Sequence, residues 1–336
     1  MEFPEEIELK FKKVQDNRYG ENWDQESALY VQADEKYGLS SIEQIHGKKM
    51  SHNNWEETSN ALEAMLDTEM YLGKNNCHAI MFKHSNPSGA ATGINLIDAI
   101  NDAWDTSPKE SYGGTWIVNK ELTEEIAQYV KDENIFIEVL LAPSFEESAV
   151  EILTEKKNIR LMSIGDLLQH EKEIRKGYKL IGTISEGVQL QTYDRGLIEK
   201  WDVVTNKKLQ EGQEEQLKFA YILTKHLKSN SAAFVNKTKT GYMAVGLAAG
   251  GQSRVDIVEQ AASKSIKFCK RPELMESSCM GTDSFFPFRD GLDAAVDAGA
   301  SAIITPGGSR YDDKIIEAAN EREISMVFCG KRVFKH

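Results

Sequence analysis

No run of about 18 apolar residues occurs in the 336, so no membrane-spanning helix is expected. The first residues, MEFPEEIELKFKK, lack the apolar centre of a secretory signal. Cysteine is scarce: the four, Cys77, Cys269, Cys279 and Cys329, show no CxxC spacing. That speaks against a disulfide framework and a zinc site and predicts a reduced, cytoplasmic protein. Positive charge is in deficit, with 40 Lys and Arg against 53 Asp and Glu and a net charge of −13. A nucleic-acid partner demands a basic surface and is not expected. A small anionic ligand stays compatible, because a local cluster of Lys and Arg can reverse the field inside one cleft. The patterns GxxxxGK[ST], H-x-E with PCxxC, GxSxG and HExxH are also missing. P-loop kinase, zinc deaminase, α/β-hydrolase and zincin readings lose their main support with them.

What is present suits a soluble globular chain: 40% hydrophobic and 28% charged residues, enough for one or two domains. Apolar runs at Ala28–Ala33, Ala79–Phe82, Thr115–Val118, Ile135–Leu141 and Ile159–Ile164 read as strands. Helical spacing lies between them. Leu62, Met65, Leu66 and Met70 keep it after an Asn53 or Asn54 cap, and Leu96, Ala99, Ile100, Ala103 and Trp104 keep it after Gly93. A charged region around a strand pair in Lys179–Gln191 suggests a boundary, giving units 1–192 and 193–336. The second unit repeats the alternation, with strands at Ala232–Val235, Tyr242–Leu247, Ala302–Ile304 and Ile324–Phe328. Such alternation predicts α/β architecture with mainly parallel sheets covered by helices. Ala79–Phe82 with its NPSG, and Ala302–Ile304 with its TPGGS, look like matching strand–turn–helix pieces.

Chemistry concentrates at Lys83-His84, where a strand is expected to end in the breaker Asn86-Pro87-Ser88-Gly89 and lead into a helix. Ligands of open α/β sheets bind at such strand ends. A histidine can take a proton near neutral pH and a lysine can steady negative charge; a surface lysine beside a structural histidine is the plain alternative. Gly250-Gly251-Gln252-Ser253-Arg254 can offer amides and a guanidinium to an anion at a helix start, or be an ordinary turn. Asn230 can orient a polar ligand or cap a helix. Phe285, Phe286 and Phe288 can stack on a flat heterocycle or fill a core. Val333 and Phe334 suggest that the terminal RVFKH is tied down.

Taken together and in order, FKHSNPSGAATG, SNS, GGQSR, TDSFFPFRD, PGGS and RVFKH resemble the transformylase part of the AICAR transformylase/IMP cyclohydrolase family, from about Arg18 to His336. AICAR is 5-aminoimidazole-4-carboxamide ribonucleotide. The resemblance implies two zinc-free, cytidine-deaminase-like α/β/α units. It implies formyl transfer from 10-formyltetrahydrofolate, as co-substrate, to the AICAR 5-amino group, in a homodimer whose sites combine both subunits. Lys83, His84 and Asn230 match the catalytic residues. Arg18, Tyr19, Arg254 and Arg332 match nucleotide contacts, Asn54, Gly113 and Glu138 fall at ligand-contacting positions, and Phe288 belongs to the aromatic motif lining the cleft. A monovalent cation is left open. The chain departs from the family where RYGxNPHQ reads RYGENWDQ, placing Trp23-Asp24 where Pro-His is usual, and in a shorter stretch before TDSFFPFRD. The family's cyclohydrolase domain has no counterpart here, so a separate IMP cyclohydrolase is expected. The rival readings are a nucleotide-binding regulator that has lost catalysis and a formyltransferase with another donor.

Overall fold

The computed structural model describes residues 3–33, 35–176, 178–184, 187–194 and 196–336. An outlying antiparallel hairpin of β1 (Phe11–Asp16) and β2 (Ala28–Gln32) comes first. Strand β3 (Glu43–His46) leads to the long helix α1 (His52–Leu72). Then follow β4 (Cys77–Lys83), β5 (Asn86–Gly93), α2 (Leu96–Thr106), α3 (Pro108–Ser111) and β6 (Thr115–Val118). Next come α4 (Glu124–Asp132), β7 (Val139–Ala142), α5 (Glu147–Thr154) and β8 (Arg160–Ser163). A link holds α6 (Glu171–Ile174), the hairpin β9 (Tyr178–Ile184) and β10 (Gly187–Thr192), and β11 (Asp202–Val203). The rest runs α7 (Gln213–His226), β12 (Ala232–Lys237), β13 (Tyr242–Ala248), α8 (Arg254–Phe268) and β14 (Ser278–Thr282). It closes with α9 (Asp290–Asp297), β15 (Ala300–Thr305), α10 (Asp312–Glu321) and β16 (Ser325–Phe328).

Leaving out the short α3, the order from α1 to β8 returns unchanged from α7 to β16: helix, two strands, then three helix–strand pairs. One sheet of twelve strands, β11-β16-β15-β14-β12-β13-β5-β4-β6-β7-β8-β3, carries both copies, which meet where β13 and β5 pair antiparallel. Parallel pairing, which the alternation predicts as the main kind, is confined to β6-β7-β8 and β14-β15-β16, so the sheet is mixed. The central hairpins and the edge strands β3 and β11 make the rest antiparallel. The repeat also corrects the apparent echo between Ala79–Phe82 and Ala302–Ile304. Strand β4 is the first strand of its unit and matches β12. Strand β15 matches β7, and each of that pair runs into a proline, Pro306 and Pro143.

Helices α1 and α7 cover one face of the central sheet, while α2, α4, α5, α8, α9 and α10 cover the other. This explains the unbroken apolar run of β4: Ala79 and Met81 enter one core, Ile80 and Phe82 the other. Helix α1 is capped by Ser51 rather than by Asn53 or Asn54. Its hydroxyl accepts from the Asn54 N–H, and the Asn54 side chain accepts from the Ser51 N–H, a reciprocal capping box.

Helices α1 and α7 are pinned by a buried charge cluster. Asp67, with no exposure, accepts from Arg175 Nη1 at 2.7 Å and lies 3.0 Å from Lys225 Nζ; its Oδ2 is 2.8 Å from His226 Nε2. Against the opposing effect of burial, the hydrogen bond from His226 and the charges of Lys225 and Arg175 hold the Asp67 carboxyl well below the usual carboxylate range. Burial pushes His226 down to about 4, despite the pull of Asp67, and likewise pushes down His78, to about 4. Both imidazoles therefore bind fewer protons folded than unfolded between pH 6.5 and 4, and stability falls as pH drops through that window. We expect the urea midpoint to fall between pH 7 and 5, above the range where most carboxylates titrate, and a glutamine at position 226 or 78 to flatten the slope. A flat midpoint in the parent protein contradicts this.

Candidate active site

The Lys83–His84 stretch is a tight hairpin, not a strand end leading into a helix. Strand β4 pairs with β5 from Cys77↔Gly93 to Lys83↔Asn86, leaving His84 and Ser85 as a two-residue turn. Both have positive φ, 50° and 62°, as a type I′ turn requires. Pro87 does not break the strand, because the register shifts between Met81 and Phe82 and the proline, which has no N–H, sits beside that bulge. Non-glycine residues in this region of φ cost of order 1–3 kcal/mol each and persist only where neighbours over-determine them.

The neighbours are visible. Lys83 Nζ donates to the carbonyls of Tyr112 and Gly113, at 3.1 and 2.7 Å. Gly113 has φ +66, and a Cβ on Gly114 would lie 2.2 Å from the Phe82 carbonyl oxygen, so this close approach needs the glycine pair. Glu57 of α1 accepts from the Ser85 N–H at 3.3 Å and from the Thr115 hydroxyl at 2.7 Å. Burial pushes its carboxyl up, while these bonds and His84 oppose the shift. Asn86 donates to the His84 carbonyl at 2.9 Å and accepts from the Lys228 N–H at 2.9 Å. The turn is thereby joined to the segment that carries Asn230. His84 itself is exposed.

On one side of Lys83, the predicted contacts form a connected set. Asn54 Nδ2 donates to Glu138 Oε1 at 3.1 Å, and Arg160 Nη1 lies 3.4 Å from the same oxygen. The Glu138 N–H donates to the Gly114 carbonyl at 3.0 Å, so Glu138 stands just before β7, which starts at Val139 rather than Ile135. The Arg18 guanidinium lies 4.9 Å from the Tyr19 ring, and the two are tied to the start of α1 by Arg18 N–H to Met50 and His52 N–H to Tyr19. Trp23, 86% exposed, and Asp24 stand at the tip of the loop that follows, closed by Gly20 N–H to the Gln25 carbonyl at 2.7 Å.

On the other side lie Asn230, Arg254 and Arg332. Asn230 is not a helix cap, since α7 ends at His226 with Leu227 as its C-cap. Its Nδ2 donates to the Gly251 carbonyl at 2.8 Å, and the Ser229–Asn230 peptide is cis. Ser253 caps α8 and Arg254 is its first residue, with Nη1 3.0 Å from Asp283 Oδ1. The tail is tied down as expected: the Ser229 N–H donates to Lys335 and the Val333 N–H to Asp283. The Arg332 and Arg254 guanidinium groups flank the Phe334 ring at 4.4 and 5.9 Å. Burial, aided by Lys179 and Lys228 and opposed by Glu63, brings Lys335 down to about 8. In the aromatic motif, Phe286 is core, whereas Phe288 is 64% exposed and faces Tyr311 at 6.2 Å over a cavity of about 440 Å³. Among the described residues, no stacking or cation–π contact ties Phe288 to Arg254 or Tyr19.

Glu57, Asn86 and Asp283 are central here and absent from the sequence-based set. Glu57 had one available signal: it lies three residues after Asn54, on the same face of α1.

These features describe an α/β protein with a Lys–His turn and an asparagine linked across a duplicated sheet, flanked by arginines suited to an anionic ligand. The AICARFT/IMPCHase bienzyme family matches residues 1–264, and the chain belongs to it. Three curated relatives are each a "Bifunctional purine biosynthesis protein PurH". That of Elusimicrobium minutum (strain Pei191) is 38% identical over 337 residues, covering 100% of this chain and 61% of the relative. Those of Acetivibrio thermocellus and Rhodopirellula baltica are each 36% identical, with the chain wholly covered and 62% and 61% of the relative. The chain thus spans about 61% of the length of these relatives. A solved structure, the structural-genomics protein ybgI of unknown function, aligns at 12% identity over 64% of this chain and 72% of its own, with a TM-score of 0.14 that carries no argument. Among the described residues no helix is long and apolar enough to cross a membrane.

Proposed function

We propose that this chain transfers the formyl group of 10-formyltetrahydrofolate to the 5-amino group of AICAR. The observation that carries the reading is the Asn86 bridge, which joins the His84 turn to the Lys228–Asn230 segment through two bonds of 2.9 Å. The AICAR amine is a poor nucleophile, because its lone pair is drawn into the ring and carboxamide. Rate must therefore come from positioning and a placed base. His84 takes the proton that the amine loses as its nitrogen bonds to the formyl carbon. Lys83, anchored by two carbonyls, steadies the folate side as the bond from carbon to folate N10 breaks and N10 gains a proton. Asn230 steadies the formyl oxygen. Arg18, Tyr19, Asn54, Gly113, Glu138, Arg254 and Arg332 hold the nucleotide. Phe288, exposed against Tyr311, suits the flat pterin. Asp283 Oδ2, buried without a protein partner among the described residues, offers the kind of oxygen a monovalent cation takes.

The protein acts in the cytoplasm as a homodimer. Its two residue groups, one led by Arg18 and one by Asn230, serve sites shared between subunits. The units 1–192 and 193–336 are the two cytidine-deaminase-like halves, and closure of the purine ring falls to a cyclohydrolase outside these residues. Purified protein given AICAR and 10-formyltetrahydrofolate is expected to release tetrahydrofolate. No release at any practical enzyme concentration removes the proposal.

A further inference from the structure

We propose that Glu57 is a positioning residue that sets the geometry of the Lys83–His84 turn by clamping it to the loop that anchors the lysine. The inference rests on the formyl-transfer reading above only for its kinetic arm. The Glu57 carboxylate accepts the Ser85 N–H with one oxygen, at 3.3 Å, and the Thr115 hydroxyl with the other, at 2.7 Å. Ser85 is the second residue of the left-handed turn and His84 the first. Thr115 is buried and directly follows Gly113-Gly114, whose first carbonyl holds Lys83 Nζ at 2.7 Å. One carboxylate thus spans the two pieces of chain that place the two side chains.

The clamp itself stands on a rigid base. Glu57 and Asn54 are one turn apart on α1, and the capping box fixes the start of that helix. Asn54 faces Glu138 while Glu57 faces Ser85, so the same helical turn sets both the Glu138 side and the His84 side. A turn with positive φ at two non-glycine residues relaxes unless it is held. Asn86 holds it from the strand side and Glu57 from the helix side. A glutamine at position 57 keeps the volume, but its amide can accept from only one of the two donors and turns N–H groups toward the other.

The test uses Glu57→Gln, His84→Asn and the double variant of the full chain. Asparagine is chosen at 84 because it tolerates positive φ. We expect Glu57→Gln to lower kcat about 10- to 100-fold, the scale of a misplacement near 1 Å, with KM for the nucleotide changed less than about threefold. In the His84→Asn background the same substitution should lower kcat by clearly less than in the parent, because the part that acts through His84 is already gone and only the part that acts through Lys83 remains. Additive losses, or a loss confined to KM, overturn the inference. Independently of turnover, hydrogen exchange of the Ser85 amide should accelerate at least about tenfold in Glu57→Gln, while amides of the β15 core stay unchanged. Unchanged Ser85 exchange overturns the clamp even if formyl transfer is never seen. Loss of formyl transfer in the parent protein with accelerated Ser85 exchange in the variant overturns the function and leaves the clamp standing.

Discussion

His84→Ala is expected to lower formyl transfer by about 10²–10⁴-fold, the range of a lost general base, while the fold survives. The side chain is exposed, so its removal opens no cavity in either core. The backbone is the complication. With φ at 50°, an alanine keeps the unfavourable conformation and could shift the turn by itself. His84→Asn separates these effects, since asparagine accepts positive φ and cannot serve as a base near neutral pH. If both variants lose activity alike and unfold at the parent's urea midpoint, the imidazole is the missing part. If His84→Asn retains activity and His84→Ala does not, the turn is what matters and the base role is lost. Parent-like turnover in both removes His84 from the chemistry altogether.

How much of this could be read from residues alone depends on whether the deciding contact was local. The run Ala79–Phe82 gave a strand because both of its faces meet apolar neighbours, a property that shows in sequence as an unbroken apolar stretch. The hairpin after it was hidden. Pro87 and Gly89 read as breakers by propensity, and it takes pairing with β4, with its register shift, and with β13 to turn Asn86–Gly93 into a strand. Strand β14 is not legible in the sequence, because Ser278-Cys-Met-Gly-Thr282 lacks β-branched density; its Gly281 lies against the backbone of α7, where a Cβ would meet Ala220 at 2.8 Å. The site residues follow the same division. Lys83, His84, Asn230 and the arginines stand inside recognisable motifs. Glu57 lies in a charged helical stretch, Glu56-Glu57-Thr58, that on pattern alone suits a solvated face. Its role depends on Ser85 and Thr115, residues 28 and 58 positions away.

Asp67→Asn is expected to destabilise the protein by about 3–5 kcal/mol, the largest loss of stability we assign to one side chain. Replacing this carboxylate with a neutral amide leaves Arg175, almost wholly buried, and Lys225 with their central countercharge gone. Glu171 at 3.4 Å from Arg175, and Asp194 at 3.7 Å from Lys225, are more distant and more exposed substitutes. The amide also turns two hydrogens toward groups that are themselves donors, and a buried unmatched donor costs about 1–3 kcal/mol. The loss should appear in urea denaturation at pH 7, persist through the window in which the histidines titrate, and shrink only as pH falls below the usual carboxylate range, where Asp67 of the unfolded chain is protonated too. An unchanged midpoint shows that the cluster contributes no net stability. Activity adds a second discrimination. His226 closes α7, its carbonyl accepts from Lys335 Nζ at 3.2 Å, and Asn230 lies four residues further on. If Asp67 serves only the fold, kcat per folded molecule stays at the parent value at temperatures well below unfolding. A matching fall in kcat shows instead that the cluster at the end of α7 also sets where Asn230 stands.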